Sequence, residues 1–305
     1  MYFLTDEEKK HLLKGLLPKS RELGVVDDLR GWNWHLPPLE PVFETKLALY
    51  EVANAYCPTS RDLFKRKVEQ IKPGPNEAMI RGSVFHRAVV DVFIAAKRII
   101  YQLGVSSSQT ICKKINQITP PSDLPEASGL SEEALRDIHE NVSLITEFEK
   151  TRVCSRIQEI LMKHPYIGED SLVNLALPVV VEQKLDGSFL GLSPNLSTDA
   201  FIFFEPMIID LKFGEPKDFH HLSTTGYALV MEAVYEFPIN LGCIVYVDFK
   251  GDRIIVKKDL HIIGDELRQW FIETRDSKAR MVEEEIDPGL PEKCNDTCPY
   301  LIYCG

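Results

Sequence analysis

The chain has 305 residues, 44% of them hydrophobic and 27% charged, the make-up of a globular protein that can bury a large core without disulfide staples. Its net charge of −11 argues against non-specific coating of nucleic acid, which rests on Lys and Arg, but does not exclude an enzyme whose metal ion supplies positive charge at a phosphate. No long apolar run is present, and Met1-Tyr2-Phe3-Leu4-Thr5-Asp6-Glu7-Glu8 lacks the regions of a signal peptide, so a cytoplasmic protein without a membrane span is expected.

Thr5 and Glu8 fit a capping box at the start of a short helix over 6–17. Residues 18–45 read as irregular, around Trp32, Trp34 and Pro37-Pro38. The pattern over 46–70 is helical and carries the basic run Arg61, Lys65, Arg66, Lys67, until Pro73-Gly74-Pro75 breaks it. That run is a solvated helix face or a track for DNA phosphates. The strongest helix signal covers 76–102, where Phe85, Val89, Val92, Phe93, Ala96, Ile99 and Ile100 recur at helical spacing and His86 borders the stripe. Residues 104–130 are polar and rich in Ser and Pro, predicting a long loop, and 131–163 return to a helical pattern. From Leu177 the period becomes that of strands, at 177–185, 198–204, 207–213, 241–249 and 253–259. A helix at about 217–236 separates the third and fourth strands, and a last helix covers roughly 261–284. The order predicts an α/β fold, a mixed central sheet flanked by helices.

Two constellations carry chemistry. The first is the tail, where Cys294, Cys298 and Cys304 follow one another as C-x3-C-x5-C. Thiols crowded into a terminal segment of a cytoplasmic protein point to a metal or cluster, and three thiolates leave one position to fill. The spacing is not the C-x2-C of structural zinc sites, while iron–sulfur clusters accept irregular spacings; the residues alone leave the two open. Cys112, in the predicted loop, is expected as a free thiol, and Cys154 and Cys243 as small core residues.

The second is the hairpin around Pro206. Alternation puts Asp210 and Lys212 on one face, and a turn centred on Glu205-Pro206 would set Asp199 opposite Lys212 and Phe201 opposite Asp210. Two acids and a lysine on otherwise apolar strands suit a hard cation and metal-assisted phosphodiester hydrolysis. A salt-bridged pair at a strand end is the bland alternative, with about even weight.

Ile208-Ile209-Asp210-Leu211-Lys212-Phe213-Gly214 resembles the D-x-K-x-G core of the PD-(D/E)-x-K nucleases in their RecB-like branch, with Asp199 matching the first metal-binding acid. Arg81-Gly82-Ser83-Val84-Phe85-His86 resembles the branch's R-G-x-x-x-H helix motif, and Gly226-Tyr227-Ala228-Leu229 its Q-x-x-x-Y motif. Cys57 with the three terminal cysteines matches the iron–sulfur subset. Together with Arg30-Gly31-Trp32-Asn33-Trp34-His35 and Tyr56-Cys57-Pro58-Thr59-Ser60-Arg61-Asp62, these features resemble the CRISPR-associated Cas-four-type exonucleases, in the Csa-one subgroup of type I-A systems.

The resemblance implies that His86, Asp199, Asp210 and the backbone carbonyl of Leu211 bind Mg²⁺ or Mn²⁺, that Lys212 positions or activates water, and that Tyr227 lines the DNA path. It implies a 4Fe–4S cluster on Cys57, Cys294, Cys298 and Cys304, clipping the helical N-terminal region to the tail. Ser223 stands where the motif has glutamine, and Glu182 is a weaker candidate for the same cleft. The expected organisation is an N-terminal helical region over 1–75, a nuclease core over 76–285 with an insertion around 104–175, and a cluster segment over 286–305. The implied function is exonucleolytic hydrolysis of single-stranded DNA, 5′-to-3′, processing DNA ends for spacer acquisition beside the CRISPR integrase proteins. A catalytically weak DNA-end-binding or scaffold subunit of the same adaptation complex is the alternative.

Overall fold

Thr5 accepts from the Glu8 amide while the Glu8 carboxylate takes the Thr5 amide, and this capping box starts helix α1 (Asp6–His11). The computed structural model describes residues 1–105, 107–121 and 130–304. The helix does not stop near residue 17. A wide π-helical turn at Leu12–Leu16 passes it into α2 (Leu17–Leu23), whose Pro18 sits in the first turn, where a missing N–H costs little. The helical stretch expected over 46–70 is only two short pieces, α3 (Leu49–Ala53) and α4 (Arg61–Lys67). Pro58 and a left-handed Ser60 (φ 60°) turn the chain between them, so Cys57 lies on a bend.

Helix α5 (Glu77–Leu103) matches its sequence signal and is capped by Asn76. The expected loop beyond it holds a further helix, α6 (Ser108–Ile115), whose Ile111, Cys112 and Ile115 are buried. Eight polar-rich residues are too short to show a period, which is why the sequence reads as loop. Residues 122–129 of that loop lie outside the described residues. Cys112 is therefore a buried helix residue rather than a loop thiol. Its Sγ donates to the Cys154 carbonyl at 3.8 Å, and Cys154 Sγ to the Cys112 carbonyl at 3.9 Å. Helix α7 (Glu132–Lys163) follows, then α8 (Glu169–Ala176), which the sequence reading missed.

Among the described residues the sheet has five strands, in the order β1 (Val180–Leu185), β2 (Leu196–Ile202), β3 (Met207–Phe213), β4 (Leu241–Lys250) and β5 (Arg253–Ile262). All neighbours are antiparallel except β3 and β4, which helix α9 (His221–Tyr235) joins as a parallel crossover. Helix α10 (Asp265–Glu283) and a last turn, α11 (Leu301–Cys304), complete the chain. The result is a mixed α/β sheet with a core on each side. One core joins Ala200, Ile209 and Leu211 of the sheet to α5, α6, α7 and α8; the other joins Phe201 and Ile208 to α3, α4, α9 and α10.

Residues 1–75 enter both cores: Met1, Tyr2 and Phe3 lie against α5, while Leu29, Leu39, Leu49 and Phe64 lie against α9 and α10. The helices between α5 and the sheet build the outer layer on the α5 side. No helix among the described residues is long and apolar enough to cross a membrane.

Candidate active site

The β2–β3 turn contains four residues, Phe203 to Pro206, two more than the two-residue turn expected. Ala200 pairs with Ile209 and Phe201 with Ile208, which corrects the expected register: Asp199 stands opposite Asp210, not opposite Lys212. A shift of two leaves every side chain on its original face, so the shared face of Asp199, Asp210 and Lys212 is kept. Pro206 had drawn the expected turn centre one position too late.

On the next strand, Val181 pairs with Ala200 and Gln183 with Thr198, which puts Glu182 beside Asp199. Glu182, Asp199 and Asp210 therefore form a row of carboxylates across three strands. Glu182 has φ +53°, a left-handed backbone that a non-glycine residue adopts at a cost and that often marks functional positions. His86 reaches this row from α5. Its Nε2 lies 2.7 Å from Glu182 Oε1 and its Nδ1 3.6 Å from Asp199 Oδ2. Tyr2, fully buried, sets its hydroxyl 3.4 Å from His86 Nδ1. Both layers thus contribute to one cluster. Glu182 and Tyr2 are its underestimated members; a strand carboxylate paired to the known row could have been found from register, whereas nothing local marks Tyr2.

The charges explain one another. Burial would lower the His86 pKa, but Asp199 and the Glu182 hydrogen bond outweigh it and hold the ring above its usual value. His86 in turn lowers Glu182. Lys212 Nζ stands 2.7 Å from Asp210 Oδ2. Burial alone would lower Lys212, yet Asp210 and Asp199 raise it, so it is held as an ammonium. Asp210 is different: burial raises its carboxyl more than Lys212 lowers it, and Asp199 adds to the rise. Its Oδ2 is buried, and among the described residues the Lys212 ammonium at 2.7 Å is its one close partner. A buried carboxylate oxygen so poorly compensated, beside two more carboxylates, fits a hard divalent cation. Asp199 is braced by the Leu211 amide, which donates to its Oδ2 at 2.8 Å.

The other expected substrate residues are placed differently. The Tyr227 hydroxyl donates to the Ser197 carbonyl, tying α9 to β2 two residues from Asp199. Ser223 is buried in α9 and offers the cleft no long side chain. Beside the lysine runs an unforeseen chain: Tyr56 hydroxyl to His220 Nε2 and His220 Nδ1 to Tyr246 hydroxyl, each 3.1 Å. Burial first, then the nearby Lys212, pushes His220 down to about 4, so its ring is neutral.

Tyr56 immediately precedes Cys57, and there the second constellation begins. Cys57, Cys294, Cys298 and Cys304 line one pocket, with Tyr56, Asp62 and Tyr300 among its walls. All four thiols are free. The tail is docked by Arg61, which forks onto Asp287 at 2.8 and 2.9 Å and donates to the Cys304 carbonyl at 2.9 Å. Asn76 donates to the Thr297 carbonyl, and Lys278 caps the end of α3 by donating to the carbonyls of Glu51 and Val52. The basic run is spent internally: Lys65 pairs with Glu69, and Arg66 and Lys67 pair with Glu51. Arg81 of the helix motif binds Glu77 and Asp137, tying α5 to α7. Trp32 lies under Arg30, and Trp34 packs on Phe189.

The sequence profile of the family described as "CRISPR-associated exonuclease Csa1" matches residues 1–305. A protein of that name from Saccharolobus solfataricus is 31% identical over 99% of both chains. Another of that name, from Thermoproteus tenax, is 26% identical over 99% of both. With a match that spans the site row, the four cysteines and everything between them, the chain belongs to the CRISPR-associated exonuclease Csa1 family.

Proposed function

We propose that this protein is a divalent-metal-dependent exodeoxyribonuclease with a RecB-like PD-(D/E)-x-K core, acting on single-stranded DNA ends, 5′-to-3′, in CRISPR adaptation. Its partners would be DNA and the integrase proteins that insert spacers, in the cytoplasm. The observation that carries the reading is the buried, under-compensated Asp210 oxygen in a row with Asp199 and Glu182, flanked by Lys212 and His86. The names of the two relatives support the exonuclease class.

His86, Asp199, Asp210 and the Leu211 carbonyl would hold Mg²⁺ or Mn²⁺. A bound ion of this kind supplies Lewis-acid polarisation of the phosphate and a more acidic water. The chain's own groups do the rest. Lys212, kept protonated by Asp210 and Asp199, orients a water and offsets charge on the phosphate rather than removing a proton. Glu182 fixes the His86 ring through Nε2, which leaves Nδ1, the nitrogen that faces Asp199, for the ion. Tyr227 acts by positioning β2 through Ser197, which replaces direct contact with DNA as its main role.

Four free thiols around one pocket fit a 4Fe–4S cluster at Cys57, Cys294, Cys298 and Cys304, serving to fasten the tail to the bend before α4. Hydrolysis of end-labelled DNA with Mn²⁺ tests the assignment. Asp210→Ala and Lys212→Ala are expected to abolish it in cluster-loaded protein, and undiminished cutting by either overturns it. The burial of Ser223 favours a second reading, a DNA-end-binding subunit with weak catalysis. Tight binding of DNA ends without turnover in the wild-type protein would select that reading.

A further inference from the structure

Away from the carboxylate row, two imidazoles and a carboxylate converge without a role in the chemistry above. His221 opens α9, and Asp259 and His261 are two residues apart on β5, hence on one face. One ring nitrogen of each histidine and one carboxylate oxygen of Asp259 all lie within 4.8 Å of one another. His221 Nε2 is 2.7 Å from Asp259 Oδ2, and the His221 and His261 rings lie tilted by 36° with centroids 4.1 Å apart. We infer that His221, Asp259 and His261 form a second metal site, specific for a borderline transition cation of the Zn²⁺ class.

The donor set makes that choice. Two nitrogens and one oxygen suit Zn²⁺ and its neighbours, whereas Mg²⁺ prefers an all-oxygen shell. Three protein ligands leave at least one coordination position open.

The surroundings are arranged for ligation. His261 Nδ1 lies 3.2 Å from the Asp259 carbonyl oxygen, so the tautomer that donates Nδ1–H there leaves the Nε2 lone pair free. Thr224 Oγ1 lies 2.9 Å from that Nε2 and, in this tautomer, donates to it; an ion at Nε2 displaces that bond, and the hydroxyl turns to the His221 carbonyl, also 2.9 Å away. Gly242 pairs with His261 across the β4–β5 ladder. A Cβ at Gly242 would stand 2.4 Å from His261 Nε2 and 2.8 Å from Thr224 Oγ1. Absence of a side chain is what lets the imidazole lie over β4 toward α9. The three ligands are only partly buried, so an ion can enter.

The site is separate from the proposed catalytic one. Asp210 pairs with Ile244, and Ile244 with Asp259, so two strand spacings intervene, roughly 10 Å. The ions of a two-metal catalytic centre lie about 4 Å apart. The cation would instead pin β5 to the first turn of α9, next to His220.

The test is zinc binding by the full-length, cluster-loaded protein in excess Mg²⁺, with X-ray absorption to identify the donor atoms. One zinc per chain with nitrogen and oxygen donors is expected, together with a higher Tm. His261→Gln and Asp259→Asn, chosen to keep the fold and checked by circular dichroism, should each weaken that zinc by about tenfold or more. His86→Gln should leave it in place. The inference is overturned if no zinc binds with nitrogen and oxygen donors, if the β5 variants bind it as well as wild type, or if His86→Gln removes it. None of these readouts depends on nuclease activity, so the site stands or falls apart from the proposed function.

Discussion

Two buried charge clusters in this molecule follow opposite rules. Glu232 of α9 is wholly buried, and its oxygens accept from Arg30, Arg268 and the amides of Gly31 and Ile239. Arg268 spends its remaining donors on the carbonyls of Leu29, Ile239 and Ile263. Burial would raise the Glu232 carboxyl, but Arg268 and the hydrogen bonds pull it below its usual value. Asp210 is also buried, yet it has a single cation beside it, an acid opposite, and a raised carboxyl. A satisfied cluster clamps residues 29–31, α9 and α10 together; an unsatisfied one is a place for a ligand. The difference lies in how many donors aim at the carboxylate, not in its burial.

Substitutions can break that contrast. The largest effect is expected at Asp210→Ala: a loss of about a thousandfold or more in DNA hydrolysis, roughly 4 kcal/mol of barrier, with Tm little changed. Lys212 keeps 30% of its side-chain surface exposed and can be rehydrated. Glu232→Ala should do the reverse. It strands Arg268 and Arg30 and costs about 3–5 kcal/mol of stability by denaturant unfolding. Next is Gly31→Ala, whose Cβ would stand 2.0 Å from the Leu229 carbonyl oxygen and force the clamp apart, at about 1–3 kcal/mol in the same measurement. Arg61→Ala should release the tail, seen as earlier proteolysis near residue 287 and, for the proposed cluster, faster loss of iron and sulfide, while the fold persists.

The smallest effect is a matter of pH. Partial burial would raise Glu8, but hydrogen bonds from Lys258 and the Thr5 amide outweigh it and lower its carboxyl below the ordinary 4.5. A lowered folded pKa gives stability that is present above the unfolded value and lost as pH falls through the folded one. Glu8→Gln should therefore reduce stability at neutral pH slightly and flatten its fall below about pH 4.5, as read from Tm against pH.

Much of the site was legible because its signals are local. Alternation along Met207–Phe213 put Asp210 and Lys212 on one face, and the helical stripe over α5 put His86 at an edge. Less was legible where short segments or long-range pairing decide. The helices α6 and α8 hold too few turns to declare a period. The hairpin register depended on where a four-residue turn would close, and that shifted Asp199 by two partners. Arg30-Gly31 carries no local signal beyond a resemblance, because its partner Glu232 stands 201 residues away from Gly31.

By itself, then, the sequence determined the α/β order, the polar face of β3, the helix that presents His86, and the inventory of thiols. Each follows from periodicity or residue chemistry within a few positions. Tertiary structure decided what no local pattern encodes. It set Glu182 and Tyr2 beside His86, gathered Cys57 with the terminal cysteines around one pocket, and joined His221 to Asp259 and His261. The reason is that strand pairing and helix packing choose partners by shape and burial across the whole chain, and a carboxylate becomes a brace or a ligand only when its neighbours are counted.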